Sequence, residues 1–81
     1  MRALITGATS GIGKAMACQL AQNGCQLVLT GRNETILRQL QKNLPVQVDI
    51  LPLDLSKPKA PYQLFDFCKN KPIDLLVNNA G

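Results

Sequence analysis

The sequence of 81 residues contains no histidine and no tryptophan, and its aromatic side chains are limited to one tyrosine and two phenylalanines. Without an imidazole, it offers neither a metal site of histidine and cysteine nor a catalytic triad that relies on a histidine base. Its cysteines, Cys18, Cys25 and Cys68, form no Cys-x-x-Cys pair. We therefore expect no metal site, and reduced cysteines that fill apolar positions, as in a cytoplasmic protein.

Long apolar runs and clusters of positive charge are also missing. No stretch approaches the roughly 20 apolar residues that a membrane-spanning helix needs, and the first predicted strand begins almost at Met1, which leaves no room for a signal peptide. The nine lysines and arginines exceed the five acidic residues and give a net charge of +4, but they are scattered and do not alternate with aromatic residues. The sequence therefore predicts neither a nucleic-acid partner nor a membrane partner.

What the sequence does contain is an alternation of short apolar runs with segments of helical periodicity. Ile12, Met16 and Leu20 recur at every fourth position and indicate a helix, and Asn33 is placed to cap a second one. The predicted strands are residues 2–6, 25–30, 46–50 and 73–77, and the predicted helices are residues 11–23, residues 34–44, and a short segment that begins near Pro61 and ends before residue 70.

This order, βαβαβαβ, predicts an α/β fold in which parallel strands are joined by right-handed crossovers. In the Rossmann-type doubly wound sheet, such a half-domain has the strand order 3-2-1-4, with the third strand at the edge. Pro52 follows the third predicted strand, and a proline there is tolerated mainly at a sheet edge because it removes a ladder donor. The proline therefore supports the predicted strand order independently of the element pattern.

A glycine-rich turn connects the first strand to the first helix. Gly7 lets the chain leave the strand sharply, Gly11 lacks the Cβ that would keep a diphosphate from the backbone, and Gly13 lets the helix pack closely on the sheet. The amides at the start of the helix can then meet the phosphate charge, and Thr9 and Ser10 can add hydroxyl hydrogen bonds. The turn is consistent with a site for a dinucleotide, although glycine-rich turns also serve purely as connections.

The motif Thr6-Gly7-x-x-x-Gly11-x-Gly13, together with Asp54 and Asn78-Asn79-Ala80-Gly81, resembles the short-chain dehydrogenase/reductase family across the whole sequence. The resemblance implies that Asp54 bonds the adenine amino group beside the backbone of Leu55, that Asn79 and Ala80 lie along the adenosine ribose, and that Asn78 ties neighbouring strands together. It also implies a lining for the diphosphate and the approach to the nicotinamide, formed by Gly7, Thr9, Ser10, Gly11, Ile12 and Gly13.

The residues after the second strand bear on the choice of dinucleotide. An NAD site usually has an acidic residue there for the ribose 2′-hydroxyl, whereas this sequence has Arg32 followed by Asn33. A guanidinium binds a 2′-phosphate that a carboxylate would repel, and Asn33 can add a polar contact. The sequence therefore predicts NADP as the cofactor.

The catalytic part of the family pattern, a serine with Tyr-x-x-x-Lys, has no counterpart here. The only tyrosine, Tyr62, is followed four residues later by Asp66, and Lys14 does not have the spacing of a P-loop lysine. We therefore expect an N-terminal cofactor-binding part of an NADP-dependent oxidoreductase acting on CH–OH or C=O groups, inactive by itself. Two alternatives stay open: a separate NADP(H)-binding or sensing module, and a structural remnant of the fold. The apolar fourth strand predicts self-association at an exposed sheet edge.

Overall fold

The computed structural model describes residues 1–79 as four parallel strands alternating with three helices. The elements are β1 (Arg2–Thr6), α1 (Gly11–Gln22), β2 (Gln26–Gly31), α2 (Glu34–Asn43), β3 (Val48–Pro52), α3 (Ala60–Cys68) and β4 (Leu75–Asn78). The sheet has the order β3-β2-β1-β4, and all three strand pairs are parallel. The predicted Rossmann-type half-domain and its strand order are confirmed.

One face of the sheet carries the main hydrophobic core. Alternate residues of β1 and β2 point to the same side, and Ala3, Ile5, Leu27 and Leu29 are 0–1% exposed there. The buried side chains Leu37 and Leu40 of α2 belong to the same cluster, as do Ala17 and Ala21 of α1. Helices α1 and α2 therefore cover this face of the two central strands.

The face by which α1 packs on the sheet differs from the apolar stripe seen in the sequence. Ile12 is 69% exposed and Met16 is 37% exposed, whereas the buried residues of the helix are Gly13, Ala17 and Ala21. Small side chains at every fourth position allow the helix axis to approach the strands closely, which bulky residues at these positions would prevent. The most buried face of α1 is therefore lined by small residues, and of the predicted stripe only Leu20 is packed, partly buried, against the core.

Several element boundaries also shift from those predicted. Strand β3 covers Val48–Pro52 instead of 46–50, and its last residue, Pro52, pairs with Gly31 at the free edge of the sheet. Strand β4 begins at Leu75, two residues later than predicted. Just before it, the Asp74 carboxylate accepts a hydrogen bond from the Arg2 amide at 2.8 Å, and the Asp74 amide donates to the Arg2 carbonyl oxygen at 2.8 Å. Helix α1 ends one residue early, before Gly24 with its φ of 83°.

The predicted cap of α2 is confirmed. The Asn33 side chain accepts a hydrogen bond from the Ile36 amide at 3.1 Å, which satisfies one of the unpaired amides at the start of the helix. Helix α3 has no such cap: Lys59 precedes it without a side-chain hydrogen bond, although Pro61 occupies its first turn, as the sequence predicts.

Candidate functional site

A cleft of about 620 Å³ lies at the carboxyl ends of the strands. Its walls come from the segments that follow β1, β2, β3 and β4, so it lies where the chain changes direction on either side of β1, the usual place for a ligand in a doubly wound sheet. The lining residues are Gly7, Thr9, Ser10, Gly31, Arg32, Leu53, Asp54, Leu55, Ser56 and Asn79.

The glycines of the turn after β1 have separate structural roles. Gly7 has a φ of 62°, a backbone conformation that favours glycine. A Cβ on Gly13 would lie 2.1 Å from the carbonyl oxygen of Gly7, so the close packing predicted for this position is observed. A Cβ on Gly11 would meet nothing within 4 Å. The backbone at Gly11 is therefore open to an approaching ligand.

The hydroxyl of Ser10 is already engaged within the turn. It donates to the Gly7 carbonyl oxygen at 3.0 Å and accepts from the Gly13 amide at 3.1 Å and from the Asn79 side-chain amide at 2.7 Å. Ser10 is thus the N-cap of α1 and a fixed part of the turn. A ligand that used its hydroxyl proton would have to displace the bond to Gly7.

The start of α1, directly after the glycine turn, has two amides without an acceptor in residues 1–79. Ser10 satisfies the amides of Gly13 and Lys14, the latter through its carbonyl oxygen at 2.9 Å. Within residues 1–79, the amides of Gly11 and Ile12 have no acceptor. These two amides, at the positive end of the helix dipole, are free donors of the kind that bind anions in other proteins.

The end of β4 is joined to β1 and the glycine turn through two asparagines. The Thr6 hydroxyl donates to Asn78 Oδ1 at 3.0 Å, which joins β1 to β4 as predicted for Asn78. The side-chain amide of Asn79 donates to the Gly7 carbonyl at 3.1 Å as well as to Ser10, and its backbone amide donates to Thr6 Oγ1 at 3.0 Å. Asn79 therefore holds the glycine turn in place, a role that the sequence analysis did not assign to it.

Arg32 lies directly after β2 at the border of two clefts. A second, shallower cleft of about 580 Å³ is formed by Thr9, Arg32, Asn33, Glu34 and Thr35. The Arg32 side chain is exposed, and within residues 1–79 its guanidinium makes no hydrogen bond and no ion pair. The group is therefore available for an anionic ligand.

Asp54 lines the main cleft in a short turn after β3. Its Oδ1 accepts hydrogen bonds from the Ser56 hydroxyl at 2.6 Å and from the Ser56 amide at 2.9 Å. These two bonds are the main reason why the pKa of the Asp54 carboxyl lies below its ordinary value; the weak effect of burial opposes them, and the positive charges of Arg32 and Lys57 add smaller contributions. Asp54 is thus an ionised, fixed acceptor.

The structure brings most of the sequence-predicted residues to one place. The main cleft includes Gly7, Thr9, Ser10, Arg32, Asp54, Leu55 and Asn79. Gly11 and Ile12 lie at the open start of α1, Gly13 is buried beneath the turn, and Asn33 lines the second cleft. The prediction for Ala80 falls outside the described residues.

Sequence reasoning missed three lining residues, Gly31, Leu53 and Ser56. Ser56 follows Asp54 by two residues, the spacing of an Asx turn, so this signal was present in the sequence. Gly31 ends β2, and a Cβ there would come within 3.1 Å of the Thr9 side chain, a contact that only the fold reveals.

Across the described part of the chain, no group of three or more potential metal ligands comes together. None of the helices described there has the length and apolar character of a membrane span.

The parallel sheet of order 3-2-1-4, with a glycine turn at its switch point, defines a Rossmann-type nucleotide-binding fold. The sequence matches the family described as short chain dehydrogenase over residues 1–81. The chain therefore belongs to the short-chain dehydrogenase/reductase family of oxidoreductases, which bind nicotinamide cofactors.

Alignments with similar proteins extend over almost the whole of this chain. It is 37% identical over 84 residues to hydroxysteroid dehydrogenase-like protein 1 of Gallus gallus, a match that covers 98% of this chain and 25% of that protein. It is 41% identical over 85 residues to the very-long-chain 3-oxoacyl-CoA reductase of Candida glabrata, covering 98% of this chain and 24% of that protein. The chain thus spans about a quarter of the length of these curated relatives.

A solved structure gives the same result for the fold. L-sorbose reductase from Gluconobacter frateurii, crystallised in complex with NADPH and L-sorbose, superposes with a TM-score of 0.84 at 32% sequence identity. The match covers 99% of this chain and 33% of the reductase.

Proposed function

We propose that this chain is the NADP(H)-binding segment of a short-chain dehydrogenase/reductase that acts on CH–OH or C=O groups. The observation that carries the proposal is that the Arg32 guanidinium, which has no partner within residues 1–79, borders the same cleft as Thr9 and Ser10, the residues directly before α1. Two positive features at one cleft suit a ligand with two separate phosphate groups, such as a diphosphate and a ribose 2′-phosphate.

The residues present fit such a cofactor. The main cleft, at about 620 Å³, falls in the usual range for small-molecule sites of roughly 300–1,000 Å³. The backbone at Gly11 would hold the diphosphate, with Thr9 beside it, and the exposed Ile12 would lie on the path to the nicotinamide. Asp54 and Leu55 would face the adenine, and Asn79 and Ala80 the adenosine ribose. The bound nicotinamide would supply the hydride chemistry.

The choice of NADP over NAD depends on Arg32 and Asn33. Hydrogen bonds to charged groups contribute about 1.5–3 kcal/mol, which corresponds to roughly a ten- to hundredfold preference for the phosphorylated nucleotide. The fold is compatible with NADPH, because L-sorbose reductase, which shares it, was crystallised with this cofactor.

A fluorescence titration with NADPH and NADH tests the proposal. We expect Arg32→Ala to lower the affinity for NADPH at least about tenfold while the affinity for NADH changes little. Lys42→Ala is the matched control, because Lys42 is a cation at the far end of α2 and lines neither cleft. Equal losses for both nucleotides in the Arg32 variant would contradict the assignment.

Catalysis requires groups beyond those in this sequence, so the 81-residue chain by itself transfers no hydride. A binding module without catalysis is the second candidate, and one observation favours it: the cofactor cleft forms within residues 1–79 alone. NADPH oxidation by the chain in the presence of aldehydes and ketones would contradict both forms of the proposal.

The exposed edge of β4 is the proposed site of self-association. Within the described residues, β4 pairs only with β1, and Leu75 and Leu76 are 38% and 59% exposed. Two such edges can pair across a twofold axis. Sedimentation should therefore detect dimers that Leu76→Lys weakens.

The three free cysteines indicate a reducing compartment, so we propose that the protein is cytoplasmic.

A further inference from the structure

Two carboxylates line the clefts that Arg32 borders, yet neither pairs with it. Asp54 lines the main cleft with Arg32, and Glu34 lines the second. An exposed arginine with acidic neighbours can form a weak ion pair with one of them. Within residues 1–79 the Arg32 guanidinium has no such partner. Each of the two carboxylates is instead bound by another residue.

Asp54 is bound to its own loop by Ser56. A single carboxylate oxygen, Oδ1, accepts both the Ser56 hydroxyl at 2.6 Å and the Ser56 amide at 2.9 Å. Two donors on one oxygen fix the side-chain torsion of Asp54 and partly satisfy its charge. The carboxylate is held in this turn although the positive charge of Arg32 is near enough to contribute to its lowered pKa.

Glu34 pairs with Arg38, which lies one turn further along α2. Its Oε2 accepts from Nε of Arg38 at 2.8 Å and lies 2.6 Å from Nη2 of the same guanidinium. The two residues are one helical turn apart, which is the favourable spacing for an acidic residue that precedes a basic one. The negative charge of Glu34 is therefore neutralised by Arg38 instead of by Arg32.

We propose that Ser56 and Arg38 are specificity-determining positioning residues: each holds one carboxylate away from Arg32, so that its guanidinium stays open for a ribose 2′-phosphate. The inference rests on the proposed function for the ligand, but the pairing pattern that carries it is independent of any nucleotide. Without Ser56 or Arg38, the released carboxylate would pair with Arg32 and would also repel the phosphate.

The ratio of the NADPH and NADH affinities of the full chain is the first test. We expect Ser56→Ala and Arg38→Gln each to reduce this ratio by about two- to fivefold, the range that one exposed ion pair can supply. Because NADH lacks the 2′-phosphate, its affinity should change less than that of NADPH. A general loss of folding would lower both affinities together and leave the ratio unchanged.

Matched variants separate the proposed roles from other effects. Ser56→Thr keeps the hydroxyl and should keep the wild-type ratio. Glu34→Gln added to Arg38→Gln removes the released charge and should restore the ratio. Lys42→Gln removes a cation from the same helix without touching Glu34 and should leave the ratio unchanged. If Ser56→Ala does not fold, the affinity ratios of Arg38→Gln, with and without Glu34→Gln, test the proposal.

A measurement without nucleotide tests the same inference. The pKa of the Asp54 carboxyl, followed by ¹³C NMR, should rise when Arg32 is replaced by Gln, and should rise further in the Ser56→Ala background than with Ser56 present. A larger rise in the Asp54 pKa in the Ser56→Ala background would indicate an ion pair between Asp54 and Arg32 in that variant. Equal shifts in the two backgrounds would overturn the role of Ser56.

The outcomes distinguish the two proposals. If the wild type prefers NADPH but Ser56→Ala and Arg38→Gln keep its ratio, the positioning role is wrong and the proposed function stands. If the wild type binds neither nucleotide, the proposed function fails for this chain, and the coupling between Arg32 and Asp54 alone supports or overturns the inference.

Discussion

The two neighbours of β1 in the sheet differ in how they are packed. Strand β2 is buried along almost its whole length, and Leu27, Val28 and Leu29 are at most 1% exposed. Strand β4, on the other side, has no fully buried residue, and α3 contributes only Ala60 to the interior. Packing therefore stabilises the β1–β2 side, whereas β4 is joined to β1 mainly by its ladder and by polar contacts such as those of Asn78 and Asn79.

The candidate site follows the same division. The glycine turn, the start of α1 and Arg32 all belong to the well-packed side, while β4 adds Asn79 at its end. Rigid packing under the turn fixes the amides that would meet a phosphate, which is what pre-organised binding requires. The candidate binding elements thus rest on the most buried part of the molecule. Variants that compare the two sides, and variants within the well-packed side, test this division.

Truncating a leucine on each side should give the largest contrast. Leu29 is 0% exposed in β2, so Leu29→Ala should lower the free energy of unfolding by about 2–5 kcal/mol. Leu76 is 59% exposed in β4, so Leu76→Ala should stay within about 0.5 kcal/mol of the wild type. Urea unfolding measures both, and similar losses would show that β4 is packed as firmly as β2.

Two glycines of the same turn sharpen the comparison within the well-packed side. Gly13→Ala places a methyl group against the Gly7 backbone, which cannot yield as a side chain would, so the loss should reach about 3 kcal/mol. Gly11→Ala meets open space and should leave stability unchanged or slightly higher. Thermal unfolding of the pair checks this, and equal melting temperatures would contradict the close packing of α1.

Removing the residue that precedes each helix should cost more stability at α2 than at α3. Asn33→Ala removes the hydrogen bond to the Ile36 amide and should cost about 1 kcal/mol. Lys59→Ala removes no cap bond from α3, so stability should hardly change. Urea unfolding of the two variants measures the difference. An equal cost for both would mean that the Asn33 bond contributes nothing in solution.

The smallest effect concerns pH. The pKa of Asp54 lies below its ordinary value of 3.8 in the folded chain, so folding favours the ionised carboxylate. The contribution of Asp54 to the free energy of unfolding is present at pH values above that ordinary pKa and is lost as the pH falls through the pKa of the folded chain. Asp54→Asn and Ser56→Ala should each weaken the decline of stability in acid. An unchanged acid profile in both would contradict the hydrogen-bonded turn.

The sequence predicted the strand order because Pro52 and the alternation of elements restrict the topology to few arrangements. It did not predict which face of α1 is buried, since the spacing of Ile12 and Met16 looks amphipathic, whereas the close contact of Gly13 selects the small residues. Within the site, the residue type after β2 indicated Arg32, and the family resemblance implied Asp54. The roles of Ser10 and Asn79 in holding the turn depend on contacts between segments far apart in sequence.

The account depends most on the amides at the start of α1 and on Arg32 as the binding groups for a phosphorylated dinucleotide. A ¹H–¹⁵N NMR titration of the full chain with NADPH tests this directly. We expect the largest shift changes at the amides of Gly11 and Ile12 and at Nε of Arg32, with little change in α3. Shift changes confined to α3 and the outer edge of β4, or none at saturating NADPH, would contradict the account.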